Sequence, residues 1–271
     1  MKAYFLVAVV CAVAVGAIST AEAAPIKSLF LGADSENEAV MNDLIGSDPR
    51  FNQAGSTALD SSSTTPSLAY LEQFDSVLTW ANNSPEDPTA LSDVLAAYAN
   101  AGGRVVIATF WGQVVGSTGS LNSPGYNPLI NSISDAYSSA TLGSYDASSP
   151  LMLGVTSLAA DIYRGDYDPG LDIGAMLVAS WSDGKPLEAI NAAQNVINIT
   201  LFPNVATYDH ASGNYSQLFA NALAFESTPV PEPASIVLLG AGLGGLGFAR
   251  RRKAASRRFS EFASEASCNQ A

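Results

Sequence analysis

The chain has 271 residues, with 12 Lys plus Arg against 25 Asp plus Glu and a formal net charge of −13. That balance excludes a nucleic-acid-binding protein, because phosphate backbones demand a basic surface. The two cysteines, Cys11 and Cys268, stand near opposite ends, so the residues between them form no disulfide and offer no thiol nucleophile. A single histidine leaves no pair for a zinc site of the usual kind.

Met1-Lys2 is a short positive start, residues 3–18 are apolar, and Ala21-Glu22-Ala23 is a small-x-small site. This order predicts a secretory signal peptide over residues 1–23, cut between Ala23 and Ala24 after passage through the Sec export machinery and signal peptidase. Cys11 follows Val10, without the small residue a lipid-attachment site needs before its cysteine. Residues 24–226 then form an exported domain. From residue 24 to 228 there are 21 acidic residues against 5 basic ones, a net of −16.

Ile26 to Gly32 is a short apolar run that suits a buried strand. Val40, Met41, Leu44 and Ile45 line one face of a helix over 37–45, with Asp34 or Ser35 to cap it. A weak strand near Ala58 and a short helix over 67–74 follow, then a strand over Asp75 to Trp80. Pro85 and Pro88 open a helix over 89–101, which Gly102-Gly103 ends. Arg104 to Phe110 is a further strand. Strands alternating with helices, and strands apolar along their whole length, predict βαβ units in a parallel sheet covered on both faces. The second half is less regular. It predicts a helix and loop within 127–143 and a short helix over 157–163. Residues 174–181 and 185–190 flank Ser182-Asp183-Gly184 as a hairpin, followed by a strand over 195–202 and a helix over 217–225.

Residues 227–235 are a proline-containing linker, and 236–249 an uncharged run with glycine at 240, 242, 244, 245 and 247. Arg250, Arg251, Arg252 and Lys253 follow it directly, and the chain continues to residue 271. An apolar run with a cationic flank reads as a short transmembrane helix with a cytoplasmic tail over 250–271. Its length is below the roughly 20 residues a span usually takes, which bilayer thinning and snorkelling accommodate.

Two resemblances follow from these residues. Val230, Pro231, Glu232, Pro233, Ala234 and Ser235, the apolar run and the Arg250–Lys253 cluster together resemble the PEP-CTERM sorting signal of bacterial envelope proteins. The resemblance implies recognition by an exosortase, transient anchoring in the inner membrane, and a destination in the cell envelope, at the outer surface or outside the cell. It also implies work among surface polymers or exopolysaccharide as a binding or structural component. The 18 residues after the basic cluster depart from the family pattern, whose tails stop sooner. The element order, with Phe74 to Trp80, Tyr98 to Ile107, Gly154-Val155 and Asn221-Ala222-Leu223, resembles the class I glutamine-amidotransferase-like, flavodoxin-like domains, near the trehalose-utilisation type. That resemblance implies a nucleophilic cysteine on the turn after the strand at 104–108. Here the turn carries Phe110, then Trp111, so no catalytic residue carries over.

The remaining candidates are few. Asp34, Trp80, Phe110 and Trp111 mark an edge where such a fold could bind a small ligand or protein. Asp166, Asp168 and Asp172, with Asp161 nearby, form an oxygen-rich stretch that could hold calcium but lacks EF-hand spacing; no metal site or cofactor is assigned. His210, in a loop next to Asp209, reads as polar surface. Gly240-x-Gly242-x-x-Gly245 matches a dinucleotide fingerprint by letter, but lies in the apolar tail without a βαβ unit. A carbohydrate-active enzyme working through two carboxylates is the alternative, and no pair of acids is singled out for it.

Overall fold

The computed structural model describes residues 24–129, 135–136, 138–165, 170–203 and 210–226. The predicted leader, the linker and PEP motif from 227 on, the membrane segment and the basic tail lie outside them. Among the described residues, no helix is long and apolar enough to cross a membrane. The chain divides into one unit ending at Phe225 and another beginning at Glu226.

Three strands set the frame: β1 (Ser28–Ala33), β3 (Ser76–Ala81) and β4 (Arg104–Ala108). Every residue of β1 and β3 is buried. Their alternating side chains feed two cores. Phe30, Leu78, Trp80, Val106 and Ala108 join one, with α1 (Asn37–Ile45) and α5 (Tyr215–Ala224). Leu29, Leu31, Val77, Val105 and Ile107 join the other, with α2 (Leu68–Leu71) and α3 (Pro88–Asn100). Each fully buried Leu, Ile or Phe contributes roughly 1.5–3 kcal/mol, so two-sided burial makes these strands the stablest part of the domain.

β2 (Thr57–Asp60) and β11 (Val196–Ile199) complete a parallel set in the order β2-β1-β3-β4-β11. This half matches the flavodoxin-like expectation, with helices on both faces. The rest of the sheet corrects it. Beyond β11 come β10 (Pro186–Ile190), β9 (Met176–Trp181), β6 (Ala140–Tyr145), β7 (Leu158–Ala160) and β12 (Ala211–Gly213), every pairing antiparallel. At β9, β10 and β11, connection length is the reason. β9 and β10 are joined by the predicted Ser182-Asp183-Gly184 turn, with Gly184 at φ 86°. Only residues 191–195 join β10 to β11. A parallel crossover needs a dozen residues or more.

One predicted helix is also corrected, and most of the helix and loop expected over 127–143 lies outside the described residues. Residues 157–163 hold strand β7, whose Leu158 and Ala160 alternate inward, instead of a helix. The described end of 127–143 enters β6. β5 (Asp135–Ala136) and β8 (Arg164–Gly165) form a separate two-stranded pair, and a single short turn, α4 (Trp111–Val114), follows β4. α3 begins as expected: the Asp87 carboxylate accepts from the backbone N–H groups of Thr89 and Ala90 at 3.1 and 2.9 Å. It ends at Gly102, at φ 95°.

One polar side chain holds three separate segments. Asn221 on α5 donates through Nδ2 to the carbonyls of Leu151 and Leu153 at 2.9 and 2.7 Å. Its Oδ1 accepts from Arg50 and Gln217 at 3.0 and 2.6 Å. Arg50 is itself paired with Asp48 at 2.6 Å. Replacing Asn221 by Leu strands two carbonyls and a guanidinium N–H. We expect a loss of about 2–3 kcal/mol, a fall in Tm of roughly 4–12 °C for a domain of this size, checked by thermal denaturation.

Glu188 is the opposite case. It is fully buried in β10, opposite Ile199 of β11 and Ala179 of β9, and neither carboxylate oxygen has a hydrogen-bond partner. Burial pushes its pKa well above the usual carboxylate range. The folded state therefore holds a proton that the unfolded chain releases at lower pH. The stability this group contributes is fully present in acid and is lost as pH rises from its unfolded value toward its folded one. Glu188→Gln does not titrate. Its stability relative to wild type should rise with pH, by at most about 1.4 kcal/mol per unit, when melting curves are compared from about pH 4 to about pH 8.

Candidate functional site

The carboxyl ends of the parallel strands form one edge of the sheet, where open α/β folds bind ligands. An open cleft of ≈ 200 Å³ lies here, lined by Asn82, Phe110, Gln113, Val114, Tyr163, Phe202 and His210. Strand ends supply most of it. Asn82 follows β3, Phe110 stands on the turn between β4 and α4, and α4 carries Gln113 and Val114. Tyr163 precedes β8, and His210 precedes β12.

Four rings make its wall. The centroids of Phe110 and Phe202 are 5.3 Å apart, and Tyr163 meets Phe110 edge-on at 5.5 Å. His210 meets Tyr163 edge-on at 4.7 Å and Phe202 at 5.6 Å. These are the tilted and edge-to-face arrangements that aromatic quadrupoles favour. Tyr163 holds φ at 59°, a left-handed conformation uncommon for a bulky residue. Its carbonyl accepts from Phe202 N at 3.0 Å, which couples that conformation to the ring opposite. The rim is amide-bearing: the Asn82 and Gln113 side chains are exposed. Among the described residues the lining includes no Asp, Glu, Lys, Arg, Cys or Ser, so these residues offer ring surface and neutral hydrogen-bonding groups.

The predicted edge is distributed differently. Phe110 lines the cleft. Trp80 and Trp111 are completely buried and present no face there. The Trp80 indole N–H donates to Asp34 Oδ2 at 3.2 Å, and that of Trp111 to Asn122 Oδ1 at 3.1 Å. Asp34 is buried and also accepts from the Glu36 backbone N–H at 3.3 Å; it does not cap α1, whose N-cap residue, Glu36, makes no side-chain cap bond. Gly32 lets the Trp80 ring lie against β1, since a Cβ there would come within 2.4 Å of it.

His210 is corrected from polar surface to a buried wall residue, 3% exposed. Tyr163, Phe202, Gln113 and Asn82 had no sequence signal, because each is placed by a different strand end. Of the acidic stretch, Asp161 is exposed and Asp172 is buried, its carboxylate accepting from Gly125 N. Asp166 and Asp168 lie outside the described residues. Among the described residues no three His, Cys, Asp or Glu side chains gather as a metal ion would need.

Residues 229–253 match the PEP-CTERM protein-sorting motif. The chain carries a PEP-CTERM sorting tail. Such a tail implies an exported surface protein processed by an exosortase. The fold is similar to that of a protein from Bacteroides uniformis ATCC 8492 described as ThuA-like, at 14% identity over 79% of this chain and 97% of that one, with a TM-score of 0.53. It is also similar to a protein from Thermoplasma acidophilum described as a GMP synthase subunit, at 10% identity over 74% and 94%, with a TM-score of 0.50. No curated protein sequence matches the chain. These likenesses establish a glutamine-amidotransferase-like fold.

Proposed function

We propose that this protein is a non-catalytic binding component of the cell surface, delivered by its sorting tail, whose cleft holds a neutral sugar unit of a surface polysaccharide. The observation that carries the reading is the composition of the cleft: four rings and two exposed amides among the described lining residues. A sugar ring offers C–H groups on its faces and hydroxyls around its rim. The former suit the half-buried ring of Tyr163, which the buried rings of Phe110 and Phe202 support from behind, and the latter suit the amides of Asn82 and Gln113. Phe110 occupies the strand-to-helix turn that would carry a nucleophile, and a phenyl ring can neither attack nor transfer a proton. Glycoside hydrolysis needs two carboxyl groups facing one bond, and the described lining residues include none.

Titration calorimetry with fragments of the organism's own surface polysaccharide tests the binding. Gln113→Ala, at an exposed position, should weaken binding about 2–10-fold with Tm unchanged. Phe110→Ala should weaken it further and also lower Tm. Cleavage of the fragments by the purified protein would overturn the non-catalytic reading.

Intact-mass and terminal-peptide analysis of protein from surface, membrane and medium tests the address. The expected product begins at Ala24 and has lost everything after a point within Val230–Ser235. A Phe259–Ala271 peptide retained in membranes would instead identify a stable single-pass anchor.

A further inference from the structure

Both ends of the domain lie at one edge of the parallel strands, and the cleft lies at the other. Ile26, just before β1, donates its N–H to the Arg50 carbonyl at 2.9 Å and accepts from Asn52 N at 2.8 Å. The N-terminal residues are thus held at the edge where the parallel strands begin. From there the Arg50 guanidinium reaches Asn221 Oδ1 at 3.0 Å, in the last turn of α5. Arg104, the first residue of β4, donates to the Leu223 carbonyl at 3.0 Å. Two arginines of this edge therefore fix the end of α5, which stops at Ala224, two residues before Glu226.

The cleft stands where the same strands finish. Asn82 follows β3 and Phe110 follows β4, and both line it. β4 runs from Arg104 to Ala108, four steps of about 3.3 Å, so roughly 13 Å of strand lies between the two edges. The bonds that hold the end of α5 each join two residues before 226, and so does each ring contact of the cleft wall. Cutting the chain within Val230–Ser235 breaks none of them. The residues that lead into the domain and those that lead out to the sorting tail leave from the edge opposite the cleft.

We propose that the cleft is open and complete in the uncleaved precursor, so that polymer binding does not await exosortase cleavage. The chain is competent to take up polymer while it still carries its sorting tail, and removal of the tail leaves the bound unit in place. This rests on the sugar reading of the cleft, and it fixes the order in which binding and processing can occur.

Two measurements test it, each made on the full chain with its tail, held in phosphatidylcholine nanodiscs, and on the processed protein. Calorimetric titration with fragments of the organism's own surface polysaccharide should give Kd values that agree within about twofold. A precursor that binds at least about tenfold more weakly than the processed protein overturns the proposal. Binding by neither form overturns the sugar reading, and access to the cleft is then read by the second measurement. In a chain carrying Cys11→Ser and Cys268→Ser, which removes both native thiols, Gln113→Cys places a reporter at the exposed mouth of the cleft. A polymer-coupled maleimide should alkylate it at rates that agree within about twofold in the two forms, since thiol reactivity follows access. A rate at least about tenfold slower in the precursor overturns the proposal whatever the fragments do.

Discussion

Two-sided burial of the central parallel strands is the constraint from which the rest follows. β1, β3 and β4 are apolar on both faces, so neither face can meet water without a large hydrophobic penalty. One face must carry α1 and α5, and the other α2 and α3. That requirement fixes where the chain crosses the sheet and brings the carboxyl ends of these strands to a common edge. It also explains the polar clasp at Asn221. α5 comes from the far end of the domain, and its position over the sheet is secured by a residue that reaches both the Leu151–Leu153 carbonyls and Arg50.

At that common edge, the turn after β4 presents the ring of Phe110 to the cleft. Phe110 is part of a continuous wall with Phe202, Tyr163 and His210. A buried ring cluster is stabilising in its own right, and here it also shapes a cleft with amides at its mouth. The proposed role uses the same scaffold for recognition without covalent chemistry. That is consistent with function residing in the site and not in the fold.

The antiparallel half has a different character. Two of its connections, β9 to β10 and β10 to β11, are short, and among the described residues it contains the buried Glu188, whose carboxylate has no hydrogen-bond partner, and the exposed apolar side chains around Ile173. Glu188 makes this half sensitive to rising pH, because a fully buried carboxyl is tolerated only while neutral.

The sorting tail was readable from residue order, because its motif is linear. An apolar run with a cationic flank and a PEP tripeptide needs no partner distant in sequence to be recognised, and residues 229–253 match as a continuous stretch. The parallel half was readable for a related reason: each βαβ unit has its own local period, and the strands of residues 26–110 were located from apolar runs and caps. The antiparallel half was legible only at its hairpin, since Ser182-Asp183-Gly184 is a local turn signal. Leu158–Ala160 lacked one, and whether that segment became helix or strand depended on pairing with β6 and β12. The cleft was least legible of all. Phe110 could be placed by its position after β4. Tyr163, Phe202 and His210 come from other connections, and only long-range pairing brings their rings within contact. Residue order alone determined that the chain carries a PEP-CTERM sorting tail and which strands must be buried. The tertiary structure decided which side chains share a surface, because that depends on strand pairing between residues far apart in the chain.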